Sequence, residues 1–503
     1  MMMYTPDLAT IQRIARTTDN NMAPVFRDVP ADLETPVSAF LKVARGDHSF
    51  LLESVEGGER VGRYSFIGTE PYRVFRSGPF ADPTAGSDPL REVEEELSRY
   101  RLSHPKDTEG HTSLPRFTGG AVGFLAYDVV RHFEARVKIP APDPQGLPEA
   151  LFMFVDTLLV FDHVKHNIKV VSHCRLDGDV ETSYRQACWR IDELAQRLTA
   201  TLPASPYPIA ATREEGSLES NVTREQYHQN VERCKKYIVA GDVIQVVPSQ
   251  RLSRKTSAHP FSVYRALRNV NPSPYMYYLQ MGDAYIVGAS PEMLVRVEDG
   301  VVETHPIAGT LPRGRDEDED RVREEQLLND EKERAEHVML VDLGRNDIGR
   351  VSQPGTVKVR DFMVIERYSH LMHLVSRVEG KLKEGMTAYD ALRACFPAGT
   401  LSGAPKIRAM EIISELETDR RGPYGGAVGY FDFSGNMDTC ITIRTTAMKD
   451  GVASIQAGGG VVYDSIPESE YQETLTKARA MLAAIDQAEA MEESVTTVGS
   501  LGY

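Results

Sequence analysis

The chain has 503 residues, of which 41% are hydrophobic and 26% are charged, and its formal net charge at pH 7 is −16. These proportions are typical of a soluble globular protein with two or more domains, and the negative charge disfavours nucleic acid as a partner. The longest apolar stretch, Leu151 to Phe161, is far shorter than the roughly 20 residues needed to cross a bilayer, so it predicts a buried strand and no membrane span.

The N-terminal residues and the cysteines indicate a cytoplasmic protein. The opening segment, MMMYTPDLATIQRIAR, has no basic region followed by an apolar run and a small-residue cleavage site, which a secreted protein would carry. The five cysteines include no Cys-x-x-Cys pair, and their odd number fits reduced thiols better than disulfides or zinc. We therefore expect the protein in the cytoplasm.

The first 200 residues alternate short strand patterns with turn residues. Runs such as SFLLESV, GGAVGFLAYDVVR and NIKVVSHCRL are rich in β-branched and aromatic residues with a period of two, which predicts a sizeable antiparallel or mixed sheet. A helix is expected from about Glu181 to Leu198. Residues 201–222 concentrate Pro, Ser, Ala and Gly without apolar periodicity, so they predict a linker after an N-terminal β-rich domain over residues 1–200.

Residues 223–490 are predicted to form a second domain, in which strands and helices occur in blocks. Thr223 and Gln226 make a capping box for a first helix, and a long charged helix is expected from about Asp320 through Leu343. This block pattern favours an α+β fold over a strict alternation of strand and helix. Residues 491–503 are predicted to be a flexible tail.

Two helical segments carry glutamates three residues apart, Glu333 with Glu336 and Glu470 with Glu473. That spacing puts both members of a pair on one helix face. From spacing alone a solvated face is the commoner explanation. If the two faces met, like charges about 4 Å apart would repel by roughly 4 kcal/mol at an effective dielectric constant near 20. A hard cation such as Mg²⁺ would then be needed, with an anionic substrate supplying further ligands.

Several other segments suit an anionic ligand, although each has an ordinary structural alternative. Residues 398–410 (AGTLSGAPKIRAM) leave backbone N–H groups free before a helix, which suits an anion, but the spacing is not that of a nucleotide-binding Walker A loop. Gly458 to Gly460 mark either close approach of a ligand or a bulge. Arg444, in a β-rich run, needs a carboxylate from the protein or from a ligand. His373 is either a general base or a core histidine.

Seven motifs in a fixed order resemble the chorismate-utilising enzymes, most closely the large subunits (component I) of anthranilate synthases. The motifs are PIAGT (306–310), EHVMLVDLGRND (336–347), MHLVS (372–376), GTLSGAPK (399–406), YGGAVGYF (424–431), TCITIR (439–444) and QAGGGVV with the following DS-P-SE (456–470). The resemblance is dense over residues 223–485 and thinner before them, where LLES (51–54) and GGAVGF (119–124) carry it. It implies the α+β fold of that family, with large sheets in a sandwich-like core and helices on the outer faces.

The resemblance implies that Glu336 and Glu473 bind a Mg²⁺ ion, with Glu333 and Glu470 as outer partners, and that the metal holds the ring carboxylate of chorismate. The other implied site residues contact the substrate: Thr400, Gly458, Gly459 and Gly460 at the ring carboxylate, Tyr424 and Arg444 at the enolpyruvyl carboxylate, and Gly309 and Thr310 in the pocket wall. This set agrees with what a dianion needs, which is one hard cation, one guanidinium and several backbone donors.

Two positions separate the members of the family. Ala308 stands where aminodeoxychorismate synthases carry a nucleophilic lysine, and Gln245 stands where isochorismate and salicylate synthases carry a lysine base. The resemblance therefore implies amination of chorismate by ammonia, with Glu292 protonating the departing C4 hydroxyl and His373 and Thr400 completing the catalytic site. Loss of pyruvate then gives anthranilate, a lyase reaction and the first step of tryptophan biosynthesis. The alternatives are an aminodeoxychorismate synthase component I and a catalytically silent, ligand-sensing member of the fold.

The resemblance also implies two partners besides chorismate. None of the five cysteines lies in a G-x-C-x-G turn, so ammonia from glutamine implies a separate glutamine amidotransferase subunit, in a heterotetramer of two large and two small subunits. LLES and NPSPYM resemble the segments that bind tryptophan as a feedback inhibitor. They put Ser54 on one wall of that pocket and Pro274, Tyr275 and Met276 on the other.

Overall fold

The computed structural model describes residues 4–54, 62–78, 88–103, 114–140, 142–202, 216–368 and 371–500, with side chains described through residue 492. In this part of the chain eleven strands form one antiparallel sheet. In spatial order they are β1 (Met22–Pro30), β8 (Asn167–Arg175), β7 (Thr157–Asp162), β3 (Tyr64–Thr69), β2 (His48–Glu53), β12 (Tyr275–Met281), β13 (Ala284–Ser290), β22 (Thr445–Lys449), β23 (Val452–Gly458), β11 (Ser249–Lys255) and β9 (Glu219–Ser220).

A second sheet has ten strands among the described residues. β17 (Lys358–Arg367) pairs with β18 (Leu371–Lys381), and β16 (Ile307–Pro312) and β15 (Val301–Thr304) pair with successive parts of β18, end to end. From β15 the order continues through β14 (Met293–Glu298), β21 (Met437–Ile441), β20 (Ala427–Asp432), β5 (Gly120–Leu125), β6 (Ala150–Val155) and β4 (Arg73–Ser77). A separate short pair joins β10 (Gln245–Val246) to β19 (Gly403–Ala404).

Helices cover the sheets. In chain order they are α1 (Leu8–Thr17), α2 (Pro36–Val43), α3 (Pro89–Leu97), a 3-10 helix (Tyr127–His132), α4 (Val180–Leu198), α5 (Arg224–Val239), α6 (Pro260–Val270), α7 (Glu317–Asn329), α8 (Glu331–Gly349), α9 (Ala388–Cys395), α10 (Gly399–Ser402), α11 (Lys406–Leu416) and α12 (Pro467–Ser500). Among the described helices, none is long and apolar enough to span a bilayer.

The two sheets pack face to face, and their inner side chains form one core. Phe50 and Tyr277 come from the first sheet and Phe124 and Leu151 from the second, and all four are buried in the same cluster. The outer face of the first sheet is covered mainly by α4, α6 and α12, and that of the second by α3, α8 and α9. The α+β fold with a sandwich-like core and outer helices is therefore confirmed.

Strands from both halves of the chain pair directly in both sheets. β2 pairs with β12 in the first sheet, and β5 pairs with β20 in the second. Of the predicted linker 201–222, residues 203–215 lie outside the described residues and Glu219–Ser220 form β9. The division into domains 1–200 and 223–490 stays a prediction, since it concerns independent folding and not pairing.

Two predicted elements are wrong in the same way, because each is split at an aspartate. The apolar run Leu151 to Phe161 is not one strand: β6 and β7 lie in different sheets, and the chain crosses between them at Asp156, which binds Arg190 at 3.1 Å. The long charged helix is also two helices. Asp330 leaves the helical conformation at ψ 111° and caps α8 by accepting hydrogen bonds from two backbone N–H groups, a typical N-cap role.

Other predicted helices agree with the structure. The helix expected from about Glu181 is α4, and the capping box of Thr223 and Gln226 starts α5. The last helix, α12, begins at Pro467 and its backbone stays helical through residues 491–500, part of the predicted tail. Residues 501–503 lie outside the described residues, and flexibility of the tail stays a prediction.

Candidate active site

The two pairs of glutamates lie on α8 and α12, whose faces approach each other. Burial raises the pKa of Glu333, and the negative charges of Glu336, on the same helix, and Glu473, on the other, add to that rise. Burial likewise raises the pKa of Glu470, with Glu473 adding to it. Because Glu333 is within electrostatic range of Glu473, the structure brings both predicted carboxylate faces to one region.

Hydrogen bonds fix the orientation of these carboxylates. Gln245 donates from Nε2 to Oε1 of Glu336 at 3.1 Å, and Lys477 pairs with Glu473 at 2.6 Å. The Ser465 hydroxyl donates to Oε1 of Glu470 at 2.7 Å, whereas Oε2 of Glu470 is buried without a hydrogen-bond partner. Such an oxygen is costly to bury unless water, an ion or a ligand group completes it.

The donor set suits a hard cation that is also held by other ligands. Within the described residues, no group of three or more Asp, Glu, His or Cys side chains is arranged to hold a metal ion by itself. Glu336 and Glu473 offer carboxylate oxygens, which Mg²⁺ prefers, and Mg²⁺ commonly takes its remaining ligands from water and an anionic substrate. The residues present therefore fit such an ion, with Glu470 Oε2 as a nearby unsatisfied acceptor.

Glu292 lies just before β14 and is held beside Thr400. The Thr400 hydroxyl donates to Oε1 of Glu292 at 3.0 Å. Burial raises the pKa of Glu292 to about 7, and the Thr400 hydrogen bond and the charges of Arg444 and Lys477 only partly oppose this. A carboxyl group with that pKa is partly protonated at neutral pH, which suits a general acid.

Arg444 occupies the turn between β21 and β22, where its φ of 50° lies in the left-handed region. Burial lowers the pKa of its guanidinium, and the nearby Tyr424, Glu473 and Glu292 oppose that change. No carboxylate of the described residues forms an ion pair with Arg444. A half-buried guanidinium that is largely removed from water is stabilised by an anionic partner, so of the two partners that the sequence left open, a ligand carboxylate fits better.

The three glycines at the end of β23, Gly458 to Gly460, lie directly against site groups. A Cβ at Gly458 would stand 2.8 Å from the Tyr424 hydroxyl, one at Gly459 would stand 2.7 Å from Glu470 Oε2, and one at Gly460 would stand 2.6 Å from Gln245 Nε2. Any side chain there would displace these groups. Close approach, rather than a bulge, therefore explains this run of glycines.

His373 lies on β18 opposite Thr310 on β16. Its Nδ1 is 3.0 Å from the Thr310 hydroxyl and 3.2 Å from the carbonyl oxygen of Gly309. Because a carbonyl only accepts, Nδ1 carries the proton, and Nε2 keeps a lone pair. Burial lowers the pKa of His373. The ring is therefore neutral at neutral pH, and the lone pair on Nε2 is able to accept a proton.

Gly309 connects this histidine to the glutamates. It forms the irregularity between Ala308 and Thr310 in the pairing of β16 with β18, with φ 63°. A Cβ there would stand 2.8 Å from Leu327 and 3.2 Å from Oε2 of Glu333. The structure thus brings Gly309, Thr310 and His373 to the edge of the carboxylate cluster.

Lys477 is a site residue that motif comparison did not single out. It bridges Glu473 and the backbone carbonyl of Gly458, to which it donates at 2.9 Å. A helical E-x-x-x-K pair places both side chains on one face, and this signal was present in the sequence. Without a structure it resembles any exposed helix pair.

The four residues predicted to bind the inhibitor line one cavity of about 780 Å³ between the sheets: Ser54, Pro274, Tyr275 and Met276. Tyr275 donates its hydroxyl proton to Asp438 at 3.1 Å, and Arg296 donates to the Tyr275 oxygen at 3.2 Å. The lining includes none of the four glutamates of α8 and α12. This cavity is therefore a second candidate site, apart from the carboxylate cluster.

Comparison with known proteins agrees with the motifs. A sequence model of the family described as chorismate binding enzyme matches residues 47–483. The chain is 50% identical to "Anthranilate synthase component 1" of Acetivibrio thermocellus over 496 residues, which covers 97% of this chain and 99% of that protein. It is also 50% identical to the protein of that name from Pseudomonas aeruginosa over 482 residues, which covers 93% and 96%.

A solved structure gives the same result. The crystal structure of anthranilate synthase component I from Streptococcus pneumoniae matches with a TM-score of 0.73 and 37% sequence identity, covering 90% of this chain and 98% of that one. The resemblance inferred from the seven motifs is confirmed by these matches. The chain therefore belongs to the family of chorismate binding enzymes.

Proposed function

We propose that this protein is the large subunit of an anthranilate synthase, which converts chorismate and ammonia into anthranilate and pyruvate. The observation that carries the proposal is the half-buried Arg444, which forms no ion pair with a carboxylate of the described residues and lies within electrostatic range of Glu473 and Glu292. A substrate with two carboxylates fits between this guanidinium and a cation at the glutamates. Tyr424, whose pKa is raised by burial, offers a neutral hydroxyl to the same end of the substrate.

Glu336 and Glu473 would hold Mg²⁺, with Glu333 and Glu470 around them. When bound, the ion supplies a Lewis acid that fixes the ring carboxylate and offsets negative charge on it. The buried, unpartnered Oε2 of Glu470 and the like charges collected around Glu333 support this assignment. Thr400 and the backbone N–H groups of Gly458 to Gly460 would bind the same carboxylate.

In the first step ammonia forms a bond to C2, both ring double bonds shift by one position (C1=C2 to C1=C6, and C5=C6 to C4=C5), and the C4–O bond breaks. Glu292 gives its proton to the departing hydroxyl, which leaves as water. Its pKa of about 7 leaves it partly protonated under neutral conditions, and the Thr400 hydroxyl orients it at 3.0 Å. Gln245, beside Glu336 and Gly460, has no basic nitrogen, which is consistent with a nucleophile that needs no proton removed by a lysine.

In the second step His373 takes the proton from C2 through Nε2, and the C3–O bond to the enolpyruvyl group breaks. The electron pair of the C–H bond forms the C2=C3 double bond, the ring becomes aromatic, and the enolate of pyruvate leaves and becomes pyruvate by taking up a proton from solvent. Thr310 and the Gly309 carbonyl hold the imidazole through Nδ1. Charge on the departing group is stabilised by Arg444 and Tyr424, since preorganised donors act where charge develops.

The protein would act in the cytoplasm with a glutamine amidotransferase subunit that supplies the ammonia, in a heterotetramer of two large and two small subunits. Tryptophan, the end product of the pathway, would bind as a feedback inhibitor in the 780 Å³ cavity. Support for this comes from Ser54, which lines this cavity together with Pro274, Tyr275 and Met276 although it lies far from them in the sequence.

The experiment that tests the proposal is an incubation of the purified chain with chorismate, Mg²⁺ and ammonium at alkaline pH, followed by anthranilate fluorescence. Alkaline pH is needed because ammonia, not ammonium, is the nucleophile. We expect anthranilate and one equivalent of pyruvate. A product identified as 4-amino-4-deoxychorismate would instead select an aminodeoxychorismate synthase, and chorismate binding without any product would select a ligand-sensing protein.

A further inference from the structure

Arg421 is the largest side chain that is almost fully buried in the described residues, with 2% of its side chain exposed. It lies in the loop between α11 and β20. Its Nε and Nη2 donate to the two carboxylate oxygens of Glu417 at 2.8 and 2.7 Å. This forked geometry is available to arginine and not to lysine.

The rest of the guanidinium binds two separate chain segments. Nη1 donates to the carbonyl oxygen of Leu401 at 2.8 Å, and Nη2 donates to that of Val247 at 2.7 Å. Leu401 follows Thr400 directly, and Val247 lies two residues after Gln245. The Arg421 guanidinium therefore links α10, which carries Thr400, to the segment that carries Gln245.

The same guanidinium also contacts the aromatic ring of Tyr424, since its central carbon lies 5.5 Å from the ring centroid. On another side it lies 4.6 Å from the ring centroid of Tyr127. Both distances fall within the range of cation–π attraction. The position of the Tyr424 ring is thereby tied to Arg421.

Glu417 extends the network to the glycine strand. Its Oε1 accepts hydrogen bonds from the backbone N–H and the hydroxyl of Ser249 at 2.9 and 2.8 Å. Ser249 pairs with Gly458 across β11 and β23, and its hydroxyl also accepts from Gln456 at 2.8 Å. The ion pair thus reaches four of the segments that would surround the substrate, those that carry Thr400, Gln245, Tyr424 and Gly458.

We propose that Arg421, clamped by Glu417, is a positioning residue that sets the relative placement of Thr400, Gln245, Tyr424 and Gly458 for the reaction. It does not touch the substrate and acts through these four positions. The inference rests on the proposed function only for the roles given to those positions. Breaking the clamp shifts them relative to one another, and misplacement by about 1 Å costs roughly a hundredfold in rate.

The test compares Arg421→Lys with a matched control, Arg420→Lys. Arg420 is the neighbouring arginine and is partly buried, but it binds Glu149 and the carbonyl of Pro140, outside the site. For Arg421→Lys we expect kcat/KM for chorismate to fall by about tenfold or more and the Kd of chorismate in the presence of Mg²⁺ to rise. For Arg420→Lys we expect both values to stay within about twofold of wild type.

We express kcat/KM and Kd per amount of folded protein, which circular dichroism measures. A purely structural role would lower the yield of folded protein and leave the activity of each folded molecule unchanged. A folded Arg421→Lys protein with kcat/KM and Kd within about twofold of wild type overturns the proposal. If that variant does not fold, Glu417→Gln decides, since it removes one charge and keeps the shape. There we expect a loss of roughly threefold or more in kcat/KM, and an unchanged value overturns the proposal.

The outcome is distinct from that of the proposed function. A wild-type protein that binds chorismate and makes no anthranilate refutes the function, and the chorismate Kd of the variants then decides whether Arg421 positions the site. Anthranilate formation with an unchanged Arg421→Lys protein refutes the positioning role alone.

Discussion

The removal of Glu292 from water affects two properties: its ability to donate a proton at neutral pH, and the way the free energy of unfolding depends on pH. Glu292 is half-buried, the Thr400 hydroxyl donates to its Oε1 at 3.0 Å, and loss of water around it raises its pKa to about 7. Replacing it with glutamine removes the proton donor but keeps the volume. We expect Glu292→Gln to lower kcat by about a hundredfold or more, since positioned acids contribute roughly 10²–10⁴. Anthranilate formation at the wild-type rate would contradict its role as the acid.

The same substitution should change how stability depends on pH. Because burial raises the pKa of Glu292 from 4.5 to about 7, its neutral form is favoured in the folded protein. That stabilisation is fully present below pH 4.5 and is lost as the pH rises through 7. It amounts to about 3 kcal/mol. Glutamine is neutral throughout, so thermal melts should show Glu292→Gln gaining stability over wild type at pH 8 and little at pH 5. An equal difference at both values would contradict the assigned pKa.

His373 acts after amination, so its loss should separate the two steps. We expect His373→Met to slow the loss of pyruvate more than the addition of ammonia, because the variant lacks Nε2 to accept the C2 proton. The measurement is chromatography of the reaction mixture over time. We expect an amino intermediate that still carries the enolpyruvyl group to accumulate. If no intermediate builds up while anthranilate formation is slow, another residue removes that proton.

At this scale the sequence named candidate residues, whose roles stay predictions, but it did not give their contacts. Motif order singled out Arg444 and the three glycines, but only coordinates distinguish a missing protein partner from a satisfied ion pair, or close approach from a bulge. Lys477 and the contact of Gln245 with Glu336 depend on which residues meet across helices. No local pattern encodes such meetings, because they arise from tertiary packing.

The facing surfaces of α8 and α12 give a prediction about metal binding. We expect Glu473→Gln to weaken Mg²⁺ affinity in the presence of chorismate by about tenfold or more, and a chelator such as EDTA to stop the wild-type reaction until Mg²⁺ is restored. Isothermal titration gives the affinity. The control is Glu468→Gln on the same helix, where Glu468 pairs with Arg224 and His228. Equal Mg²⁺ affinity in both variants would contradict the metal assignment.

Elements with clear end signals could be predicted from sequence, and elements split by one residue could not. The capping box at Thr223 and Pro467 at the start of α12 are local, so they give the boundaries of α5 and α12. Asp156 and Asp330 lie inside runs whose average character is that of a strand or a helix. Whether such an aspartate interrupts the element depends on where the chain goes next, either from one sheet to the other or into a second helix. Tertiary packing decides that path.

The cavity between the sheets leads to a prediction for the whole molecule. Ser54 lies just after β2 and lines the cavity together with residues at the start of the neighbouring strand β12. We expect Ser54→Phe to relieve inhibition by tryptophan, because the added ring occupies space that the inhibitor needs, while the rate without tryptophan changes little. The measurement is anthranilate formation over a range of tryptophan concentrations. An inhibition curve that matches wild type would remove Ser54 from the pocket.

For the whole molecule, fold class followed from composition and the order of elements, whereas sheet topology did not. The polar segment 201–222 predicts two bodies joined by a linker. Direct pairing of β2 with β12 and β5 with β20 joins strands more than 200 residues apart. Because strand pairing over such distances leaves no periodic trace in either strand, it is available only from the structure.

This long-range pairing has a consequence for how the protein is made on the ribosome. β2 and β5 are synthesised long before β12 and β20, so each has an open, apolar edge while the second half of the chain is still being translated. Open strand edges promote aggregation. We therefore expect a truncated chain that ends before β12 to aggregate more readily than the full chain.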